Sequence, residues 1–187
     1  MVAAMPDEPL AYFITFTTYG AWLHGREAGS VDPGHNWPDT PVLPANPLKE
    51  AEAHAAMAQQ PYCFDELRRA TVLVTIREVC QHRGWQLIAC HVRTSHVRFV
   101  VQARATPEKV MNDCKAYASR RLTEAGLDKR DRRRWTRHGS TKYIWDEHYL
   151  DNAIDYVLRQ QGDPMATYYE GEAIHSEFSG LGRIADA

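Results

Sequence analysis

Two strand-like segments separated by only three residues are the feature of this sequence that most restricts its fold. The first, at 85–92, reads WQLIACHV, and the second, at 96–103, reads HVRFVVQA. In the second segment Val97, Phe99 and Val101 alternate with other residues, which is the period of a half-buried strand. So short a connection allows only an antiparallel β-hairpin, because parallel neighbours need a crossover of a dozen or more residues.

The elements around this β-hairpin predict an α+β domain. In chain order they are a strand at 11–18, a short helix at 48–59, a helix that Asp65 caps and Gly84 ends, the β-hairpin, a helix at 107–125, a strand at 141–145 and a helix at about 149–161. The main elements have the ferredoxin-like order β-α-β-β-α-β. We therefore expect an antiparallel sheet with the helices mainly on one face.

Length and composition indicate a single domain, 1–187. Its core is predicted at about 11–162, with a proline-rich insertion at about 20–64 and a tail at 163–187. There is no run of 18 apolar residues, no basic and apolar leader, and no Cys-x-x-Cys pair among the four cysteines. These features predict a cytoplasmic protein without a membrane segment.

Charge is distributed unevenly along the chain although its net value is only −2. Residues 115–142 contain ten Lys or Arg against three Asp or Glu, whereas residues 143–187 contain two against nine. A basic block in an acidic protein is typical of a focused site for a polyanion, but a solvated surface helix and loop would have the same composition.

The helix at 107–125 places Tyr117 at the edge of its apolar stripe, with Arg121 one turn later. If this helix packs beside the strand of His96, the phenol and the imidazole share a cleft. A phenol can attack a phosphodiester when its proton is removed and the phosphate charge is neutralised. The alternative is a tyrosine that packs on the edge of the core.

Four segments resemble the single-tyrosine transposases of the histidine-hydrophobic-histidine (HUH) class, especially those associated with repetitive extragenic palindromes. They are YFITFTTYGAWLHG, HVRTSHVRFVVQ, KAYASRRL and YIWDEHYLDNAIDYVLRQQG, which together span most of residues 11–162. The resemblance implies a nucleoid-associated protein that recognises a DNA hairpin with a single-stranded flank. It also implies cleavage and rejoining through a 5′-phosphotyrosine intermediate, with Mg²⁺ or Mn²⁺ held by paired histidines.

By position, Tyr117 matches the family's nucleophile and His96 its first histidine, whereas Arg98 stands where the second histidine is expected. Arginine cannot ligate a cation, so the sequence leaves metal binding open. Arg98 and Arg121 are expected to neutralise the phosphate. The candidate metal ligands are His96, Asp113 and His91, the last if it lies directly across the β-hairpin from His96.

The basic block supplies the candidate DNA contacts, with Trp135 either stacking on an unpaired base or anchoring its loop. These are Lys115, Arg120, Lys129, Arg130, Arg132, Arg133, Arg134, Trp135, Arg137 and His138.

Two functions remain open from the sequence. One is a tyrosine-dependent single-strand endonuclease and strand transferase. The other is a hairpin-DNA-binding relative that cuts weakly or not at all, because Arg98 interrupts the metal site. A ferredoxin-like RNA-binding domain is disfavoured, because the aromatic motif of that class is missing from the central strands. Relatives of this type occur as dimers and as monomers, so a homodimer is also open.

Overall fold

The described part of the chain forms one five-stranded antiparallel sheet with helices on both faces. The computed structural model describes residues 8–21 and 46–171. The elements are β1 (Ala11–Thr18), α1 (Pro47–Ala55), α2 (Glu66–Arg83), β2 (Gln86–Val92), β3 (His96–Gln102), α3 (Pro107–Glu124), β4 (Trp135–Ile144), α4 (Glu147–Arg159) and β5 (Ala166–Tyr169). The strand order is β4-β1-β3-β2-β5, with all neighbours antiparallel. The ferredoxin-like prediction is confirmed, because α2 and α3 connect the first four strands in that order.

Alternation along the strands gives the sheet two different apolar faces. Phe16, Val97 and Phe99 pack with α2 and α3 in the larger core, and we call this side the α2/α3 face. Val100 and Ala89 pack with Val157 and its neighbours on α4, and we call this side the α4 face. The helices that connect the strands therefore share one face as predicted, and α4 covers the other.

Helix-end signals act as the sequence predicts. The Asp65 carboxylate accepts the N–H of Arg68 at 2.8 Å, and Gly84 ends α2 in the left-handed conformation at φ 68°. Thr106 caps α3, and Pro107 opens it.

Two strands differ from their predictions. β4 begins at Trp135 rather than at 141, because its first half contains a bulge and lacks the alternation that marks a strand. β5 was not predicted, because only its pairing with β2 makes this four-residue segment a strand.

Parts of the insertion and of the tail, residues 22–45 and 172–187, lie outside the described residues. Within the described part of the insertion, α1 is followed by Tyr62 and Phe64, which are buried in the larger core. No helix among the described residues is both long and apolar enough to cross a membrane.

Candidate active site

Tyr117 and His96 lie on opposite faces of the sheet, so the expectation that they share a cleft is wrong. Tyr117 is half-buried on α3, where it packs against the larger core and lies under the Arg120 guanidinium at 5.0 Å. His96 alternates on β3 with Val97, which belongs to that core. The helix after the β-hairpin covers the more apolar face of β3, and the histidine points away from it.

A different tyrosine, Tyr156, reaches the face of His96. It lies on α4, half-buried, with the Arg98 guanidinium carbon 5.1 Å from its ring centre. Phe13 of β1 meets the ring edge-to-face at 6.0 Å. A tyrosine and an arginine therefore adjoin on the α4 face, close to the end of the helix.

Gln161, just beyond the end of α4, joins His96 to Arg98. Its Oε1 accepts the Nε2–H of His96 at 3.1 Å and also accepts a hydrogen bond from Arg98 Nη1. Its own amide donates to the backbone oxygen of Tyr156 at 3.1 Å. Two donors from β3 thus converge on one oxygen beside the tyrosine, and the same glutamine holds them to α4.

Burial and nearby charge lower the pKa of His96. Loss of solvation is the largest cause, and the charges of Arg98 and Arg93 act in the same direction. The hydrogen bond to Gln161 opposes them only in part. The lowered pKa favours the neutral form of the imidazole, and its Nδ1 lies 3.4 Å from the Ser95 hydroxyl.

His91 lies on the α4 face, but the prediction that it pairs with His96 is wrong. Its cross-strand partner is Arg98, because the β-hairpin turns at Thr94 and Ser95. The ring is fully buried: Nδ1–H donates to the Val157 oxygen at 3.1 Å, and Nε2 accepts the N–H of Met165 at 3.2 Å. Both nitrogens are occupied, so His91 is not available to a cation.

The other two predicted charge partners of the site lie on the α2/α3 side. Asp113 forms ion pairs with Arg83 and Lys109, each at 3.0 Å. Arg121 forms an ion pair with Glu78 of α2. Neither residue can act beside His96, because both belong to the helices on the far face.

The donor set around His96 does not fit a divalent cation. Within residues 8–21 and 46–171, no group of three or more His, Cys, Asp or Glu side chains could hold a metal. Among the described residues, the polar groups that contact His96 are the neutral amide of Gln161 and the Ser95 hydroxyl, and the cationic guanidinium of Arg98 shares the Gln161 oxygen. Mg²⁺ and Mn²⁺ prefer carboxylate and other hard oxygen ligands, so a metal site built on these residues is unfavourable.

Several members of the basic block are structural. Arg134 is 5% exposed and pairs with Asp128 at 2.8 Å. Arg132 donates to the backbone oxygens of Gln60 and Pro61, at 2.8 Å and 3.0 Å. These two arginines hold their loop in place. The prediction that Arg134 contacts phosphates is therefore wrong. The guanidinium of Arg132 is largely occupied by its hydrogen bonds within the protein.

Lys115 and Trp135 are internal as well. The Lys115 ammonium is buried and donates to the backbone oxygens of Thr136 and His138, at 3.2 Å and 3.1 Å. Burial lowers its pKa to about 8. The Trp135 indole N–H donates to Ser119 at 2.8 Å, and its ring meets Phe16 edge-to-face. The prediction that Lys115 contacts DNA is therefore wrong, and Trp135 acts as the packing anchor of its segment.

The remaining basic candidates are exposed. The exposed set is Arg120, Lys129, Arg130, Arg133, Arg137 and His138. Thr17, which pairs with His96, is joined by its hydroxyl to that of Thr136 at 2.9 Å. Arg137 follows Thr136 in the β4 bulge. Polar contacts thus run from His96 across Thr17 of β1 to Thr136, whereas Arg137 lines an exposed pocket with Tyr19, Arg133 and Trp135.

Tyr156 and Gln161 are candidate site residues that the sequence analysis does not include. The signal was present, because the apolar face of β3 is the face that two crossover helices cover. A helix that follows β4 then has only the face of His96 left to cover. Tyr156 lies in the fourth segment of the family resemblance, between Ile154 and Val157 of that helix's apolar stripe.

Comparison with known proteins gives a family match. The model of the family described as "Transposase IS200 like" matches residues 56–160, more than half of the 187-residue chain. That span includes His96, Arg98, Tyr117 and Tyr156. No curated protein matches the chain.

Two solved structures are similar in outline. A REP-associated tyrosine transposase bound to a REP hairpin has a TM-score of 0.47 at 12% identity, covering 100% of this chain and 90% of its own. A protein from Deinococcus radiodurans R1 described as a transposase has a TM-score of 0.43 at 13% identity, covering 87% of this chain and 99% of its own. Similarities at this level assign no site residues.

Proposed function

Because the chain belongs to the IS200-like transposase family, we propose that it cleaves and rejoins a DNA strand with Tyr156 as the nucleophile. The observation that supports this choice is the grouping of Tyr156, His96, Arg98 and Gln161 on one face of the sheet. Tyr117 has no such surroundings. Its neighbours are the larger core and the exposed Arg120.

The reaction is an in-line displacement at phosphorus. The Tyr156 phenol loses its proton to solvent or base, and its oxygen forms a bond to the phosphorus. The bond from phosphorus to the 3′-oxygen breaks, which leaves a 5′-phosphotyrosine link and a 3′-hydroxyl after protonation. Negative charge builds up on the phosphate oxygens, and the Arg98 guanidinium beside the tyrosine ring is placed to stabilise it.

The substrate proposed is a DNA hairpin with a single-stranded flank. The α4 face beyond the helix end is lined by strand residues with short polar side chains, Thr15, Thr17 and Ser140, next to Arg98 and His96. A polar surface of this kind would admit an unpaired strand, and the exposed Arg137 of the neighbouring strand β4 could contact its phosphates. Rejoining reverses the cleavage, with a 3′-hydroxyl attacking the phosphotyrosine.

Denaturing gels test the assignment of the nucleophile. A fluorescently labelled hairpin with a single-stranded flank is incubated with the wild type, Tyr156→Phe, Tyr117→Phe and Tyr149→Phe, with Mn²⁺ and without it. Tyr149 is the matched control, because it lies on α4 but is 55% exposed at the opposite end. We expect the covalent adduct to fall at least about 10³-fold in Tyr156→Phe and to persist in the other two. An adduct that depends on Tyr117 and not on Tyr156 would refute the assignment.

A second function is favoured by the donor set around His96, which lacks the ligands of a divalent cation. In that case the protein binds the DNA hairpin and does not cut it. Nanomolar binding by fluorescence anisotropy, with no adduct under any metal condition, supports this function over strand transfer.

A further inference from the structure

The clearest unassigned feature of the α4 face is the oxygen on which two donors converge. The Nε2–H of His96 and an N–H of Arg98 both point at Oε1 of Gln161. A neutral amide oxygen is a weak partner for a guanidinium, which binds carboxylate and phosphate oxygens far better. The arrangement is therefore one that an anionic oxygen would satisfy better than the glutamine does.

Charge at this point favours an anion. Within residues 8–21 and 46–171, neither Arg98 nor Arg93 has an ion-pair partner. Arg93 donates to the backbone oxygen of Asp163 at 2.9 Å, and its charge acts on His96 together with that of Arg98. Buried charges are normally paired, and a cleft lined by one sign of charge attracts the opposite sign, so two arginines without carboxylate partners favour an anion beside His96.

The same charge opposes a cation. A divalent ion held by His96 Nε2 and Gln161 Oε1 would lie against the guanidinium that bonds to that same oxygen. Like charges a few ångströms apart in a partly desolvated site repel strongly. Binding the ion would also require His96 to give up the N–H that it donates to Gln161.

We propose that Arg98 and His96 bind a DNA phosphate directly, at the position now filled by Gln161 Oε1, with no divalent cation between protein and phosphate. The inference rests on the proposed function, since it concerns the same site. Gln161 is the placeholder: it holds both donors in the free protein, and a phosphate oxygen replaces it when the strand binds. It can swing away, because it lies beyond the last turn of α4. The guanidinium then supplies the charge neutralisation for attack by Tyr156.

Binding without metal tests the proposal directly. Affinity for a hairpin with a single-stranded flank is measured by anisotropy in EDTA, for the wild type, Arg98→Gln and Arg159→Gln. Arg159 is the matched control, because it lies in the last turn of α4 but is 80% exposed. We expect Arg98→Gln to weaken binding roughly 10- to 100-fold, the effect of one charge-assisted contact. The salt slope should fall by about 0.7, and Arg159→Gln should change the affinity less than about threefold.

Exchange of the guanidinium for an imidazole gives the second arm. Manganese binding is followed by electron paramagnetic resonance in the absence of DNA, for the wild type and for Arg98→His. We expect no bound Mn²⁺ at this site in the wild type and a new bound signal in Arg98→His, which His96→Ala removes.

Two outcomes would overturn the inference. One is Mn²⁺ bound by the wild type and lost in His96→Ala. The other is a DNA affinity of Arg98→Gln in EDTA that is as high as the affinity of Arg159→Gln under the same conditions. Neither measurement needs cleavage, so the absence of any covalent adduct would refute the proposed nucleophile without deciding this point.

Discussion

Removal of the Asp128 carboxylate should destabilise the protein more than loss of any surface ion pair. Asp128 is 4% exposed in its side chain and accepts from Arg134 Nε at 2.8 Å, Arg68 Nε at 3.1 Å and the Tyr62 hydroxyl. The Arg134 side chain is only 5% exposed. Asp128→Asn leaves that guanidinium buried without a negative partner, and breaking a buried pair in this way costs about 3–5 kcal/mol.

Equilibrium urea unfolding of wild type and Asp128→Asn measures this loss, with Glu78→Ala as the control. Glu78 forms an ion pair with Arg121 between two helices, but the two side chains are 49% and 50% exposed. An exposed pair contributes about 0.2–1 kcal/mol. If Asp128→Asn costs no more than Glu78→Ala, the carboxylate is not the centre of a buried network and the reasoning is wrong.

The same network makes a prediction about pH. Burial alone would raise the pKa of Asp128, but the hydrogen bonds from Tyr62, Arg134 and Arg68 and the arginine charge hold it below its usual value of 3.8. A carboxyl with a depressed pKa stabilises the fold above the pKa of the unfolded chain and loses that contribution as the pH falls through the folded value. The difference in the free energy of unfolding between wild type and Asp128→Asn should therefore begin to narrow as the pH falls below about 4.

Three further substitutions test the structural roles assigned here. Burial lowers the pKa of Lys115 from 10.5 to about 8, so between these pH values the unfolded chain binds more protons than the folded protein. The free energy of unfolding of the wild type should therefore rise by up to about 3 kcal/mol, relative to that of Lys115→Met, as the pH increases from 8 to 10.5. Urea unfolding at each pH measures this difference. His91→Ala should cost about 2 kcal/mol, because it leaves the Val157 oxygen and the Met165 N–H without the partner that the imidazole supplies, and isothermal titration should detect no manganese binding in either the variant or the wild type. Trp135→Phe should lower the stability of the fold by about 1 kcal/mol, because the hydrogen bond to Ser119 is lost. DNA affinity measured by anisotropy should not change. If Trp135 stacked on a base, its replacement would lower that affinity.

Local signals in the sequence were sufficient for most of the fold. The spacing between two alternating strands requires a β-hairpin, and Asp65, Gly84 and Thr106 mark helix ends through contacts within a few residues. These features depend on short-range sterics and hydrogen bonds, which any sequence window contains. The start of β4 and the existence of β5 could not be predicted in this way, because a bulged or very short segment is recognisable as a strand only from its hydrogen bonds to a neighbouring strand.

The site was predictable only in part for the same reason. Alternation correctly placed His96 and Arg98 on one face of β3, and family resemblance identified the segment that contains Tyr156. Which tyrosine meets them depends on which face each helix covers. The family resemblance matches Tyr117 because its helix follows the β-hairpin in the chain, whereas in the folded protein Tyr156 of the later helix α4 lies beside Arg98.

By itself, the sequence determined the elements, their order and the family of the chain, because each of these is encoded in local periodicity or in ordered motifs. Tertiary structure alone decided the partners. It placed α4 and Tyr156 over the polar side of β3. It also buried Arg134 and Lys115, which removes them from the exposed part of the basic block, and gave both ring nitrogens of His91 hydrogen-bond partners. The physical reason is that burial and pairing depend on how the helices and strands pack together. A charged or nucleophilic side chain can act on a substrate only if that packing leaves it accessible.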